Sequence, residues 1–207
     1  MDRNNESLKG KPDSPIFRES AEDYIFKEIK SSIARLGLVF DTFFNERELY
    51  KTKAIDKVVN NLKKKNLVYE KDDAVWYKGT AVGRESDRVL IKSTGEPTYR
   101  LPDIAYHQDK LERKYDLIID VFGADHIETF PDVLSAIEQL GYDPNIIRVL
   151  IHQFVTIIKD GEQVKMSTRK ANFVTLDELT DEVGEDIVRY FFIMRGMNTH
   201  LNFDLDL

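Results

Sequence analysis

The chain has 207 residues, of which 42% are hydrophobic and 32% charged, a composition typical of one large globular domain or two small ones. Its net charge of -7 gives no sign of an overall basic nucleic-acid-binding protein, although an acidic total is compatible with a local basic patch. The absence of cysteine excludes disulfides, thiolate metal sites and thiol nucleophiles.

The four histidines are scattered along the chain, which argues against a metal site built on them. No apolar run approaches the ~20 residues that a membrane-spanning helix needs. The N-terminus is polar and has no apolar core of the kind found in signal peptides. We therefore expect a cytoplasmic protein that does not enter a membrane.

The first half of the chain predicts a polar tail and then a small α/β unit. Residues 1–15 are rich in polar residues and are predicted to form a flexible tail. Apolar residues recur at helical spacing from Glu19 to Leu36 and again over 46–65, with a short extended run over 38–40 between them. Strand-like runs separated by turns follow at 67–69, 74–77 and 89–91. These elements assign residues 16–93 to the small unit.

The second half alternates between predicted helices and predicted strands. Helices are predicted over 98–113, 125–140, 175–183 and 185–195, and strands over 116–122 and 147–158. Both strands are continuous apolar runs, which suits a buried parallel sheet. The order strand, helix, strand, helix predicts an α/β fold with half of a doubly wound, Rossmann-like domain.

A basic loop follows the last of these strands. After a turn at Asp160 and Gly161, the sequence KMSTRK carries three cations and two hydroxyls over residues 165–170. Lys165, Arg169 and Lys170 could converge on polyphosphate oxygens, and Ser167 and Thr168 could donate hydrogen bonds to them. The composition of the loop is equally compatible with a solvated basic segment.

Two further segments carry polar groups suited to ligands. Tyr99 and Asp103 are four residues apart and share a face if the segment is helical, so that a ring and a carboxylate could together hold a guanidinium. Gly123, Asp125 and His126 stand where a strand ends and a helix is predicted to begin, which is the usual ligand-binding edge of such sheets. The alternatives are an exposed aspartate beside a core-edge tyrosine, and an ordinary helix cap followed by a surface histidine.

The KMSTRK sequence resembles the KMSKS signature of class I aminoacyl-tRNA synthetases, and with the following AN it is especially similar to the arginyl-tRNA synthetases. The TY…DIAY sequence over 98–106 and the GADH sequence over 123–126 resemble two further elements of that family, in the same order. Where the signature usually has its second lysine, this chain has Thr168, so Arg169 or Lys170 is expected to share that role.

The resemblance implies a role for each segment. Tyr99 and Asp103 are expected to hold the arginine substrate, and Lys165, Ser167, Arg169 and Lys170 are expected to act on the leaving pyrophosphate. The residues expected to contact ATP are Gly123, Asp125, His126, His152, Val155, Lys165 and Met166. His152 could equally be a satisfied core histidine of an apolar strand.

The resemblance also implies the domain organisation and the reaction. Residues 16–93 are expected to be the connective insertion of a catalytic domain, and residues 94–207 the second half of its Rossmann-like core with the KMSKS-type loop. Such an enzyme forms arginyl-adenylate from arginine and ATP, with Mg2+ on the phosphates, and passes arginine to tRNA-Arg.

Two elements of the family have no match among the 207 residues: the His-x-Gly-His motif and the helical anticodon-binding domain. We therefore expect the chain to be inactive alone, and a complementary N-terminal chain is a possible partner. Three alternatives stay open: a non-catalytic module that associates with ATP or tRNA, one half of a split synthetase, and another class I synthetase or nucleotidyltransferase.

Overall fold

The computed structural model describes residues 15–164 and 174–206. Within them the helices, in chain order, are α1 (Pro15–Arg35), α2 (Arg47–Lys51), α3 (Ala54–Lys64), α4 (Arg100–Glu112), α5 (Phe130–Leu140), α6 (Leu176–Val183) and α7 (Glu185–Ile193). The strands are β1 (Val68–Lys71), β2 (Ala74–Tyr77), β3 (Arg88–Ile91), β4 (Ile118–Gly123), β5 (Ile147–His152), β6 (Val155–Lys159), β7 (Glu162–Gln163) and β8 (Leu201–Asp204).

Internal packing divides the chain into two compact units. Unit 1 comprises Met1–Phe43, Thr156–Arg195 and Asn202–Leu207, and unit 2 comprises Phe44–Val155 and Gly196–Leu201. The predicted boundary between residues 93 and 94 falls inside unit 2. The assignment of the two segments to an insertion and to half of a Rossmann-like core stays a prediction, and residues 1–14 of the predicted tail lie outside the described part of the chain.

Unit 2 contains an antiparallel sheet of order β1-β2-β3 and the parallel pair β4-β5. Helices α3, α4 and α5 contribute a shared apolar core with these strands. Members of this core that are no more than 1% exposed are Val58, Leu62, Tyr77, Leu90, Leu101, Ile104, Ala136 and Ile137. Burial of such side chains supplies most of the stabilising free energy of a domain of this size.

The β4-α5-β5 segment is a parallel strand-helix-strand unit, as the alternation of elements predicts. Helix α5 begins with Pro131 in its first turn and ends at Gly141, whose φ of 99° is the left-handed conformation that terminates many helices. The register pairs Ile118 with Ile147 at one end and Gly123 with His152 at the other. The carboxyl ends of both strands therefore meet at one edge.

The two faces of β4 differ in exposure. Ile118 and Asp120 are buried, whereas Ile119 and Val121 are exposed. A strand of a parallel sheet is normally covered on both faces, which is why the continuous apolar run predicted full burial. Among the described residues, one face of β4 is therefore apolar and uncovered.

In unit 1 the end of α1 is tied to the last two helices by charge. Arg35 contacts Asp177, Asp181 and Glu185 at 3.4, 2.7 and 3.0 Å. Helix α6 begins with a capping box, in which Thr175 and Glu178 satisfy each other's backbone N–H groups. Among the described helices, none combines the length and apolar character needed to cross a membrane.

Several predicted elements differ from those observed. The helix predicted over 46–65 is two helices, because Lys53 adopts a left-handed conformation with φ of 55°. The strand predicted over 147–158 is divided into β5 and β6, which belong to different sheets, and residues 38–40 form no strand. The helix predicted from residue 125 begins instead at Phe130, after a short 3-10 turn.

Candidate functional site

The carboxyl ends of β4 and β5 form the edge at which ligands bind in folds of this type. Gly123 closes β4 opposite His152, the last residue of β5. A Cβ atom on Gly123 would lie 2.6 Å from Asp125 Oδ1, closer than real Cβ contacts. Glycine therefore lets the Asp125 carboxylate fold back over the end of the strand.

The turn after β4 presents two polar side chains to solvent. The Asp125 and His126 side chains are 66% and 43% exposed, and His126 Nε2 lies 3.9 Å from Asp125 Oδ2. The His126 ring stacks on Phe122 with ring centroids 5.0 Å apart and an interplanar angle of 17°. This stacking fixes the imidazole while leaving its nitrogens accessible to a ligand.

Asp103 lies in a cleft beside that turn. The cleft is lined by Asp103, His107, Phe122, His126 and Thr129, together with apolar residues of α5 and β5. Within the described residues, the Asp103 carboxylate has neither a hydrogen-bond donor nor a salt-bridge partner, and it is half-buried. A carboxylate in this situation can accept paired hydrogen bonds from a cationic ligand.

The electrostatic environment of Asp103 combines burial with nearby charges. Burial raises the pKa of Asp103, and Glu46 adds to this effect. The positive charges of His107, His126 and Lys110 act in the opposite direction. A perturbed carboxyl group in a cleft is a typical feature of a binding site.

Tyr99 takes a different position from Asp103. It immediately precedes α4, and its side chain is 90% exposed. The Tyr99 carbonyl accepts a hydrogen bond from the Asp103 backbone N–H at 3.2 Å, so the two residues are one helical turn apart. Pro102 lies in the first turn of α4, and Tyr99 is not among the residues that line the Asp103 cleft.

The remaining predicted site residues are only partly described. His152 is half-buried at the end of β5, with Nδ1 2.7 Å from the Gln153 carbonyl oxygen, and Val155 is a half-buried residue at the start of β6. The predicted catalytic and phosphate-binding residues Lys165, Met166, Ser167, Arg169 and Lys170 lie outside the described residues.

Below the turn of α4 that carries Asp103 is a buried polar network that the sequence analysis did not single out. His107 Nε2 contacts Asp120 Oδ2 at 2.7 Å, and Lys110 Nζ donates to the other oxygen of the same carboxylate. His107 Nδ1 donates to the Asp103 carbonyl oxygen at 2.7 Å. The network links β4 to the helix that carries the candidate ligand-binding carboxylate.

Two signals in the sequence could have revealed this network. Asp120 interrupts an apolar run at a position whose side chain faces the core, where an unpaired carboxylate is costly. Asp103, His107 and Lys110 follow at intervals of four and three residues, so they lie on one side of α4. Only the fold brings Asp120 opposite them.

Comparison with known proteins gives a consistent result. Residues 6–192 match the family of class I tRNA synthetases for arginine, catalytic domain. The chain is 58% identical to the arginine–tRNA ligase of Desulfotalea psychrophila over all 207 residues, which cover 38% of that protein. It is 49% identical to the arginine–tRNA ligase of Salinibacter ruber, again covering the whole chain and 37% of the relative.

A solved structure supports the same conclusion at the level of the fold. The crystal structure of an arginyl-tRNA synthetase from Campylobacter jejuni superposes with a TM-score of 0.82 at 32% identity, covering 98% of this chain and 45% of that one. The chain thus spans little more than a third of the length of these curated relatives. Its α/β fold with a partial Rossmann-like core and its matching residues show that the chain belongs to the arginine-specific class I tRNA synthetases, within their catalytic domain.

Proposed function

We propose that this chain is part of the catalytic domain of an arginine–tRNA ligase, which activates arginine with ATP and transfers it to tRNA-Arg. The observation that carries the proposal is the half-buried Asp103 carboxylate, which has no partner within the described residues and lies beside the carboxyl ends of β4 and β5. The cytoplasmic location expected from the sequence belongs to the same proposal.

Asp103 is the proposed partner of the arginine guanidinium. A carboxylate and a guanidinium form two parallel charge-assisted hydrogen bonds, a geometry that an ammonium group cannot reproduce. The Tyr99 ring, which is exposed one helical turn earlier, is available to stack on the planar guanidinium. This combination would favour arginine over lysine.

ATP is proposed to bind at the strand edge. Gly123 leaves room at the end of β4, Asp125 and His126 offer polar groups for the ribose, and His152 and Val155 flank the start and end of the connection between β5 and β6. Mg2+ is part of the proposal as an ion bound to the ATP phosphates, which is its usual mode in enzymes that use ATP.

The proposed reaction needs positioning and charge stabilisation. An oxygen of the arginine carboxylate attacks the α-phosphorus of ATP, and the bond from that phosphorus to the bridging oxygen of pyrophosphate breaks. Lys165, Arg169, Lys170 and Ser167 are proposed to stabilise the charge that develops on pyrophosphate. The adenylate then gives its arginyl group to a hydroxyl of tRNA-Arg.

Arginine binding tests the substrate assignment. We expect the 207-residue chain to bind arginine in a titration followed by NMR, with weaker binding of lysine and citrulline. Asp103→Ala should reduce the affinity about tenfold or more, because a hydrogen bond to a charged group contributes ~1.5–3 kcal/mol. Asp109→Ala is the matched control, since Asp109 lies on the same helix and pairs with Arg113 instead. Equal binding of all three ligands, or an unchanged Asp103→Ala variant, would contradict the assignment.

A second experiment addresses catalysis. We propose that the 207 residues alone do not activate arginine, and that a complementary chain with the His-x-Gly-His motif restores activity. Arginine-dependent exchange between pyrophosphate and ATP should be absent for the chain alone and present after co-expression. Robust exchange by the chain alone would disprove this part, and failure of every complementing chain would favour a non-catalytic module that associates with ATP or tRNA.

A further inference from the structure

The imidazole of His107 is enclosed between two acceptors. Its Nδ1 lies 2.7 Å from the Asp103 carbonyl oxygen and its Nε2 2.7 Å from Asp120 Oδ2. A carbonyl oxygen can only accept, so Nδ1 carries a hydrogen. If the Asp120 carboxylate is ionised, Nε2 must carry one as well, and His107 is then an imidazolium.

The environment of Asp120 favours its ionised form. Burial by itself raises the pKa of Asp120, but the hydrogen bonds from His107 and Lys110 outweigh it and hold the pKa below its ordinary value. The side chains of His107 and Asp120 are only 5% and 6% exposed, so water does not replace these contacts. The network therefore contains one anion and two cations, with an excess of one positive charge.

We propose that His107 is a positioning residue for guanidinium binding: it is held as an imidazolium by Asp120, fixes the turn of α4 that carries Asp103, and keeps the Asp103 carboxylate ionised. This inference rests on the proposed function, because it assigns His107 a task only if Asp103 binds arginine. His107 lines the same cleft as Asp103, but it is only 4% exposed, and we assign it no direct contact with the substrate.

The charges that face Asp103 support this role. Burial raises the pKa of Asp103, and among the groups that lower it, His107 on the same helix has the largest effect. His126 in the turn after β4 and Lys110 on α4 act in the same direction, whereas Glu46 before α2 opposes them. Without the charge on His107, the balance moves towards a neutral carboxyl group, which cannot form a charge-assisted pair with a guanidinium.

The first test uses the wild-type chain and needs no substrate. The 15N chemical shifts of the imidazole of His107 should show both nitrogens protonated at pH 7, because both face acceptors. A neutral His107 ring at pH 7 would overturn the inference. Because this measurement uses no variant, it does not depend on whether a substituted protein folds.

The second test follows the Asp103 carboxyl group directly by 13C NMR as the pH is changed. His107→Gln should move its titration to higher pH, because the amide can still donate a hydrogen bond but carries no charge. Lys110→Gln is the matched control: Lys110 binds the same Asp120 carboxylate but does not contact the Asp103 carbonyl, so it should move the titration less. An Asp103 titration that is the same in His107→Gln and wild type would overturn the inference.

Arginine binding then separates this inference from the proposed function. In His107→Gln, affinity for arginine should fall by a larger factor at pH 5 than at pH 8, because without the imidazolium charge more of the Asp103 carboxyl is protonated at the lower pH. An equal loss at both pH values would indicate a purely structural role and overturn the inference. Absence of arginine binding in the wild type at every pH would overturn the proposed function, and with it the substrate role of His107. An Asp103 titration that is unchanged in His107→Gln would overturn only the inference about His107 and would leave the proposed function standing.

Discussion

Arg100 Nε donates to Asp132 Oδ2 at 2.9 Å, and this ion pair joins the first turn of α4 to the first turn of α5. Arg84 and Arg88 contact the same carboxylate at 3.2 and 3.0 Å. The Asp132 side chain is 4% exposed, while the three arginine side chains are 23–34% exposed. One buried anion therefore holds together the β2-β3 connection, β3, α4 and α5.

Because the aspartate is buried and the arginines are partly exposed, removing the aspartate should destabilise the protein more than removing one arginine. Asp132→Asn leaves three guanidinium groups without their counterion and should lower the free energy of unfolding by about 3 kcal/mol. Arg84→Gln should cost about 1 kcal/mol or less, because Asp132 keeps two partners and Arg84 is partly solvated. Urea unfolding of the two variants provides the comparison. Equal losses would contradict the view that the buried carboxylate organises the cluster.

Asp103→Asn should stabilise the protein at neutral pH. Burial raises the pKa of Asp103 above its ordinary 3.8 in the folded state. Between 3.8 and the raised value the folded state holds a proton that the unfolded state has released, so stability falls as the pH rises through this window. An amide removes that penalty, and we expect a gain of about 1 kcal/mol at pH 7 that disappears near pH 3.5.

The difference between wild type and variant isolates Asp103 from other carboxyl groups. Asp120 has a lowered pKa in the folded state, so its contribution is present above its ordinary pKa and is lost as the pH falls, equally in both proteins. Thermal unfolding at pH 3.5, 5 and 7 gives the comparison, with Asp109→Asn as an exposed control on the same helix. If Asp103→Asn is less stable than wild type at pH 7, burial of the ionised Asp103 carboxylate does not destabilise the folded protein as we expect.

Sequence periodicity predicted the elements whose ends carry local signals. Strands β1, β2 and β3 are confirmed, and α6 begins at Leu176, one residue after the predicted start at 175. The break between β5 and β6 was not predicted, because it depends on tertiary structure. Gln153 leaves β5 to donate its N–H to the Met197 carbonyl oxygen at 2.9 Å, a partner 44 residues away that no window of sequence contains.

The candidate site was predictable to a similar extent. The resemblance singled out Asp103, Gly123 and His126, and the structure places all three at or beside the edge where β4 ends. The polar network next to Asp103 was not predicted, because His107 and Asp120 come into contact only when α4 packs on β4. Buried ion pairs of this kind join residues from different elements, and periodicity describes one element at a time.

Gly37 should tolerate substitution less well than a glycine in an open turn. Its φ is +73°, and a Cβ atom there would lie 3.0 Å from Nη1 of Arg189, which donates to the Leu36 carbonyl oxygen. Gly161 has a similar φ of +69°, but a Cβ would meet no atom within 4 Å. Gly161→Ala should cost about 1 kcal/mol from the backbone alone, and Gly37→Ala clearly more. Chemical unfolding measures the loss of stability in both variants. Equal losses would show that the Arg189 side chain moves aside without a cost in stability.

Gly123→Ala should impair ligand binding more than folding. The added methyl group would approach Asp125 Oδ1 to 2.6 Å and force that carboxylate away from the end of β4. The Asp125 side chain is 66% exposed and can rotate into solvent, so the free energy of unfolding should change by about 1 kcal/mol or less. ATP binding, which we propose to use Asp125, should weaken about fivefold to tenfold.

A double-mutant cycle tests whether the methyl group acts through Asp125. If it does, Gly123→Ala has no further effect on ATP affinity in the Asp125→Ala background, and the two substitutions are non-additive. Additive losses would mean that the methyl group blocks the nucleotide itself, because Gly123 pairs with His152 at the strand edge where the ligand is proposed to lie. A loss of several kcal/mol in stability would instead show that Asp125 cannot move, and that the turn after β4 is fixed by the fold before any ligand binds.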